Sequence, residues 1–215
     1  MKLTAAAISS QRWLLTFPQE CLASQSGDRA LASAVDFLGV DLSLLRAEIP
    51  HPVALHLGCD GTGGDAVRKL YFEAAEGHAG MVFLALKVRH GRAVLHRYTA
   101  VVAQDALPQL RLPEPLHSAC LDLLSVLPRN MPALLVQPDI GWRRSLDINL
   151  SDLADTPEIS ACVAALIERV CPGFDHGVRT PMSHIAVGMA DDTAPFVTLY
   201  GYPEWIHPDK DAAPR

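Results

Sequence analysis

The feature that most constrains the fold is a set of segment pairs, each joined by a short turn rich in glycine, aspartate or proline. Within each segment apolar and polar side chains alternate, and a period of two residues is typical of strands with one buried face. Strands joined by such turns form antiparallel hairpins. The predicted hairpins are 53–58 with 67–74, 81–89 with 92–102, 133–137 with 143–150, and 183–189 with 196–202. The sequence therefore predicts an antiparallel sheet of about eight strands.

Amphipathic segments among these hairpins predict helices over 28–47, 114–127 and 157–171. The last has the clearest boundaries, because Thr156 can cap it and Pro157 suits its first turn. Each helix has one apolar stripe, which must pack against another layer. Helices and antiparallel hairpins in one chain predict an α+β fold built from repeated hairpin units, with the helices packed on one face of the sheet.

The length of 215 residues suits one domain. We expect a single α+β domain over residues 1–203 and a flexible C-terminal tail over 204–215, because the tail is rich in proline and charge.

Composition excludes several classes of function. With 18 Lys+Arg against 24 Asp+Glu, the net charge of −6 argues against a nucleic-acid-binding protein. No apolar stretch approaches the roughly 20 residues that cross a bilayer, so we expect no membrane association. The 5 cysteines are scattered without a metal-binding spacing, which favours a reduced, cytoplasmic protein. No motif calls for a cofactor or a metal.

Successive side chains of a strand point to opposite faces, so each predicted strand divides into two columns. The aliphatic column contains Val53, Leu55 and Leu57; Val82, Leu84, Leu86 and Val88; Leu146, Ile148 and Leu150; and Ile185, Val187 and Met189. The polar column contains His56; Lys69, Tyr71 and Glu73; Lys87 and Arg89; Arg143, Ser145, Asp147 and Asn149; His184; and Thr198 and Tyr200. We expect the helices to cover the aliphatic face and to leave the polar face uncovered.

Two interpretations of the polar face are open. It can simply face water, as one side of many antiparallel sheets does. Alternatively it binds a ligand or a partner, which its content of cations and tyrosines favours, since tyrosine and arginine are enriched at binding surfaces.

Helices outside, hairpins inside and a cation- and tyrosine-rich sheet face together resemble the ABBA-barrel aromatic prenyltransferases. The residues that carry the resemblance are Arg68-Lys69-Leu70-Tyr71, His184-Ile185-Ala186-Val187-Gly188 and Val197-Thr198-Leu199-Tyr200. In that family the barrel interior binds an allylic diphosphate through lysine and arginine, and stacked tyrosines shield the carbocation. The chemistry is consistent, because cations pair with phosphate oxygens and aromatic faces stabilise positive charge.

The resemblance implies a role for each polar residue. Lys69, Lys87 and Arg143 would hold the diphosphate, while Tyr71 and Tyr200 would act as shields. Glu73 or Asp147 would be the catalytic base, and Arg89 is a further ligand-binding candidate of the same column.

The family's barrels have about ten strands, whereas the pattern here predicts eight, so the resemblance implies an open or partial ABBA-type barrel whose sheet keeps two edges. An exposed edge can accept an extended peptide as an added strand. Our first hypothesis is therefore a peptide-binding accessory subunit of a peptide-modifying enzyme, of the type found in pathways to ribosomally made peptide natural products (RiPPs). Its partners would be the enzyme subunit and the peptide substrate. The alternative is a small ABBA-type prenyltransferase acting on an aromatic acceptor.

Other constellations are weaker. His56, His184 and Asp147 could share one face as a metal site, but their spacing favours individually hydrogen-bonded histidines. The glycine-rich stretch over 58–64 precedes a strand rather than a helix, so we expect a hairpin turn rather than a phosphate-binding loop. Trp142 could anchor a partner or pack under a turn.

Overall fold

The computed structural model describes the chain apart from residues 1, 5–6, 10–11, 23–24, 50, 76–79, 142, 152, 154–155, 175–181, 191–193 and 202–215. Its described part contains a single sheet of eleven strands. The strands are β1 Lys2–Thr4, β2 Ala7–Ser9, β3 Arg12–Pro18, β4 Ala54–Asp60, β5 Val67–Glu73, β6 Met81–Arg89, β7 Arg92–Val102, β8 Pro132–Pro138, β9 Arg144–Asn149, β10 Met182–Met189 and β11 Pro195–Gly201.

The helices lie between β3 and β4, between β7 and β8, and between β9 and β10. They are α1 Gln19–Leu22, α2 Gln25–Leu38, α3 Ser43–Glu48, α4 Ala103–Ala106, α5 Glu114–Val126 and α6 Pro157–Val170, with 3-10 turns at Gly63–Asp65 and Leu107–Leu110. As predicted, the Thr156 hydroxyl caps α6 by accepting a hydrogen bond from the backbone N–H of Ile159 at 3.4 Å. The predicted helix over 28–47 is divided into α2 and α3 at Gly39, whose φ of +66° ends α2. None of the described helices has the length and apolar character needed to cross a membrane.

Every strand pair in the sheet is antiparallel, in the order β2-β1-β11-β10-β9-β8-β7-β6-β5-β4-β3. The α+β fold with repeated hairpins is therefore confirmed, and the four predicted hairpins match β4 to β11 within two residues at each end. The strand count is higher than expected, because the N-terminal segment adds β1, β2 and β3.

The two edges of the sheet lie close together. β2 and β3 stand at opposite ends of the strand order, yet only residues 10–11 separate Ser9 from Arg12. Since consecutive Cα atoms are about 3.8 Å apart, the Cα atoms of Ser9 and Arg12 lie within about 11 Å. A flat sheet of this size would place its edges about 48 Å apart, at about 4.8 Å per strand. The sheet is therefore open but strongly curled, with a barrel-like shape.

The outer, convex side of the curl carries the hydrophobic core in two parts. Helices α2 and α3 pack on β4 to β7, where Leu38 and Leu45 contact a cluster that includes Phe72 and Leu84. Helices α4, α5 and α6 pack on β8 to β11. The ion pair of Arg97 with Glu48 ties α3 to the sheet, since Arg97 lies on β7. The aliphatic column predicted from the sequence is the one that the helices cover.

The opposite side of the sheet differs from the expectation that it would be uncovered. Lys69 is only 4% exposed, Lys87 8%, His96 5% and Thr198 2%, although the described helices pack on the other face. Curvature explains the difference, because it turns this face inward and lets strands two or more positions apart enclose one another's side chains. The part of the polar column around Lys69, Lys87 and Thr198 is thus interior, whereas Arg89 and Asn149 at the strand ends are exposed.

Strands β9 and β10 approach each other most closely at Gly188, where a Cβ atom would lie 2.1 Å from the carbonyl oxygen of Arg144 and 2.7 Å from the Cα of Ser145. We therefore expect Gly188→Ala to lower the free energy of unfolding by roughly 3 kcal/mol through overpacking against backbone. Gly64→Ala is the matched control, because a Cβ there meets no atom within 4 Å. Urea unfolding measures both, and equal stabilities of the two variants would contradict the close approach.

Candidate functional site

The strand register places the predicted polar column on one side of the sheet. Tyr71 on β5 lies opposite Ala85 on β6, which is two residues from Lys87. Asp147 on β9 lies opposite Ala186 on β10, and Ala186 lies opposite Thr198 on β11, two residues from Tyr200. We call this side the inner face. Its described members are Thr16, His56, Asp60, Lys69, Tyr71, Glu73, Phe83, Ala85, Lys87, His96, Tyr98, Val136, Arg143, Ser145, Asp147, His184, Phe196, Thr198 and Tyr200.

Tyr98 and Tyr200 interact electrostatically across the inner face. The pKa of Tyr98 on β7 is raised by burial, then by the neighbouring phenol of Tyr71, and then by that of Tyr200 on β11. Four strand spacings separate β7 from β11, which in a flat sheet is about 19 Å, well beyond the Debye length in ordinary salt. The two phenols therefore face each other across a concave interior.

Three cations converge on one buried histidine. Burial, followed by the charges of Lys87, Arg143 and Lys69 in that order, lowers the pKa of His96 to about 2. These cations come from β5, β6 and the residue preceding β9, so the curl of the sheet brings them together. His96 is therefore neutral at physiological pH.

Three polar atoms of the described inner-face residues are buried without a hydrogen-bond partner: Nδ1 of His96, Nε of Arg143 and Oδ1 of Asp147. Buried polar atoms are normally paired, and an orphan often marks a place where a bound molecule completes the network. The His96 side chain is almost fully buried, so bulk water does not compensate for the loss. An anion with several oxygens fits this environment, because guanidinium and ammonium groups donate to such oxygens.

Each cation also has a neighbour that offsets part of its charge. Lys69 forms an ion pair with Asp60 at the end of β4. The ammonium of Lys87 lies 5.3 Å from the ring centre of Tyr98, and the guanidinium of Arg143 lies 4.9 Å from that of Phe196. Cation–π contact of this kind stabilises desolvated cations.

An aromatic cluster adjoins the cations. The rings of Tyr71 and Tyr98 lie 5.6 Å apart, those of Phe83 and Tyr98 6.0 Å apart, and Phe83 lies 5.6 Å from the imidazole of His56, all edge to face. Such edge-to-face pairs are the favoured geometry of aromatic contact. The Tyr71 and Tyr98 side chains are also hydrogen bonded. The inner face therefore combines a cationic end with an aromatic end.

His56 is held on both sides. Its Nδ1 lies 2.9 Å from the Thr16 hydroxyl on β3, and its Nε2 lies 3.1 Å from Oε2 of Glu73 on β5. The three residues stand on neighbouring strands, with Thr16 opposite His56 in the register. Glu73, predicted as a possible base, thus contacts an imidazole.

A second aromatic pair lies toward the other end of the sheet. The rings of His184 and Tyr200 are 6.2 Å apart and perpendicular, and burial lowers the pKa of His184. Tyr200 therefore joins the inner face but stands apart from the cluster around Tyr98.

The predicted site residues divide into groups by position. The structure brings together Lys69, Lys87, Arg143 and Tyr71, all named from the sequence. Asp147 lies on the inner face in β9. Arg89 lies outside this group, because it stands at the exposed end of β6 and pairs with Asp65 at 3.3 Å.

Sequence reasoning missed several inner-face residues. Phe83 and Phe196 read as ordinary core residues, and Thr16 lies on a strand that the sequence did not reveal. Phe83 and Lys87 are an even number of positions apart within β6, so the two-residue period of the strand places Phe83 on the same side as Lys87. No local signal existed for Thr16.

The structure also bears on the weaker motifs noted in the sequence. Within the described part of the chain, no group of three or more His, Cys, Asp or Glu side chains is placed to hold a metal ion. The glycine-rich stretch forms the turn between β4 and β5, as expected. Trp142 and the tail over 204–215 lie outside the described residues.

No known protein family matches the sequence of this chain, and no curated protein is significantly similar to it.

The state of His96 predicts a pH dependence of stability. Its pKa is about 2 when folded and near 6.5 when unfolded, so the unfolded chain binds more protons between these values. Stability is therefore complete above pH 6.5 and falls as pH is lowered toward 2, by at most about 1.4 kcal/mol per pH unit from this group. We expect His96→Gln to reduce the slope of unfolding free energy between pH 6.5 and 5.

The wild-type protein offers a check that does not depend on the variant's folding. The His96 ring should not titrate in NMR spectra between pH 7 and 4. A ring that protonates in that range, or an unchanged slope in the variant, would contradict the buried neutral imidazole.

Proposed function

We propose that the protein binds an extended peptide as an added strand along β3 and serves as the accessory subunit of a peptide-modifying enzyme, in a pathway of the ribosomal peptide natural-product type. The observation that carries the proposal is an edge strand with exposed apolar side chains. Trp13 is 44% exposed, Leu14 56% and Leu15 53%, and all three lie on β3.

The backbone of β3 supports strand addition. β3 pairs with β4 on one side, and no described strand pairs with its other side. Alternate N–H and C=O groups of such an edge point outward and can bond to a new strand.

The direction of β2 and β3 is also consistent with strand addition. Ten antiparallel steps separate β2 from β3 in the strand order, so the two strands run in the same direction. A peptide added on the unpaired side of β3 would lie on the side that β1 occupies beside β2.

The side chains of β3 suit an apolar peptide. Native edge strands are commonly protected by charge or proline, but here those residues stand only at the ends, as Arg12 and Pro18. Exposed apolar surface of this kind is typical of a binding site. A peptide held by one edge keeps its other edge and one face free, which is what a subunit that presents substrate to an enzyme requires.

Selection from a displayed library of random twelve-residue peptides tests this binding mode. We expect selected peptides to protect the backbone amides of β3 from hydrogen exchange, and Leu14→Lys or Leu15→Lys to weaken binding about tenfold or more, since each removes apolar contact. Leu121→Lys and Ile140→Lys are matched controls, because these exposed apolar residues lie on α5 and in the turn after β8. Protection confined to other strands would contradict the proposal.

The second candidate function is a small prenyltransferase of ABBA type, and the cationic and aromatic ends of the inner face favour it. Lys69, Lys87 and Arg143 would hold the diphosphate, and Tyr71 with Tyr200 would shield the allylic cation. Asp147, on the same face, would be the candidate base for an aromatic acceptor.

Binding of dimethylallyl diphosphate tests this candidate. We expect the wild-type protein to gain thermal stability with millimolar ligand, and Lys87→Ala to lose most of that shift, because a buried cation that contacts the diphosphate is removed. Arg129→Ala is the control, since Arg129 is exposed before β8. An equal shift in both variants would place the diphosphate elsewhere.

A further inference from the structure

Thr16, His56 and Glu73 form a continuous hydroxyl–imidazole–carboxylate array. The Thr16 Oγ1 to His56 Nδ1 distance is 2.9 Å, and the His56 Nε2 to Glu73 Oε2 distance is 3.1 Å. Both lie within hydrogen-bond range for a nucleophile, its base and the group that orients the base. The array is recognised by these roles and not by sequence order, since the same geometry occurs on unrelated folds.

The hydrogen-bond donors in the array follow from the carboxylate. An ionised glutamate only accepts hydrogen bonds, so Nε2 of His56 carries the proton that faces Glu73. In the neutral ring Nδ1 then has a lone pair, and the Thr16 hydroxyl must donate to it. This is the arrangement in which an imidazole can take a proton from the attacking oxygen.

We propose that this array is a nucleophilic site for acyl transfer from small apolar esters, with Thr16 as nucleophile, His56 as general base and Glu73 as the positioning residue. In the first step Thr16 Oγ1 bonds to the acyl carbon as its proton passes to Nδ1 of His56. The ester C–O bond then breaks, and the leaving alkoxide takes that proton as an alcohol. Water, deprotonated by His56, attacks the acyl-threonine and releases the carboxylic acid, and the threonine oxygen recovers a proton.

The nucleophile is accessible to substrate. Thr16 is exposed and lies on the edge strand β3, whereas the side chain of His56 is only 15% exposed and that of Glu73 34%. The nucleophile thus stands at an accessible edge while its base is shielded from water, as covalent catalysis requires.

The open edge also supplies donors for the developing oxyanion. Alternate N–H groups of an edge strand face away from its partner, so either the N–H of Thr16 or those of Leu15 and Phe17 face outward from β4. Backbone N–H groups are the usual stabilisers of the tetrahedral intermediate in acyl transfer.

The surroundings favour an apolar acyl group. The ring of Phe83 packs 5.6 Å from the His56 ring and that of Tyr71 6.5 Å from it. Leu14 lies two residues before Thr16 on the same side of β3 and is exposed. These groups make the surroundings of the array largely apolar.

Hydrolysis of p-nitrophenyl acetate by the full chain tests the proposal. We expect Thr16→Val and His56→Gln each to lower kcat/KM by about 100-fold or more, and Thr16→Ser to keep it within about tenfold, since serine retains the hydroxyl. Glu73→Gln should lower kcat with little change in KM, because Glu73 orients the base without touching substrate. His117→Gln, which removes a histidine near Glu114 on the outer helix α5, is the matched control and should keep full activity.

Covalent labelling gives an independent measurement on the wild-type protein. A fluorophosphonate should phosphonylate Thr16 as fluoride leaves, and tryptic mass spectrometry should place the adduct on the peptide that contains it. Activity that survives in Thr16→Val, an adduct on another residue, or no adduct at all would overturn the proposal and leave a structural hydrogen-bond array. The peptide and diphosphate proposals stand or fall separately, since neither uses the Thr16 hydroxyl.

Discussion

The curvature of the sheet is the constraint on which the rest of the structure depends. Helices pack on one face only, and the two-residue link between β2 and β3 brings opposite edges of the sheet together. These facts oblige the other face to close around its own side chains. A polar surface that would meet water in a flat sheet becomes an interior where Lys69 and Lys87 are buried. Burial costs an unpaired cation several kcal/mol, so neighbouring acids and rings are required.

The described contacts of the three inner-face cations differ in kind, since one is with an acid and two are with aromatic rings. Asp60 pairs with Lys69, while Lys87 and Arg143 lie against the rings of Tyr98 and Phe196. Burial, followed by the charges of these three cations, keeps His96 neutral. A core selected for stability alone would often replace such charged groups with apolar residues of the same volume. The charged groups retained there, beside buried polar atoms without a hydrogen-bond partner, are the reason that we place the diphosphate proposal on this face.

The sequence predicted the hairpins, and its resemblance to the ABBA barrels implied an open or partial barrel, but not how far the sheet curls. Hairpins β4 to β11 were recognisable because their side chains alternate and their turns contain Gly, Asp or Pro, and Thr156 marked the start of α6. Strands β1 and β2 were not, since three residues are too few to display a period. The approach of Ser9 to Arg12 across the sheet depends on pairings far apart in the chain. Burial of Lys69 followed from that closure, and the contact of Thr16 with His56 required β3 itself.

The open edge explains why the proposed activities concentrate on β3. Among the described strands, β2 and β3 stand at the edges of the sheet, and β2 has three residues. β3 combines one bonded side with a polar neighbour on the inner face, which is His56. A strand added beside β3 would pass its carbonyl carbons near the Thr16 hydroxyl. If both proposals hold, peptide binding and acyl transfer would occur at the same edge strand, β3, and a peptide bound there would itself be exposed to acyl transfer.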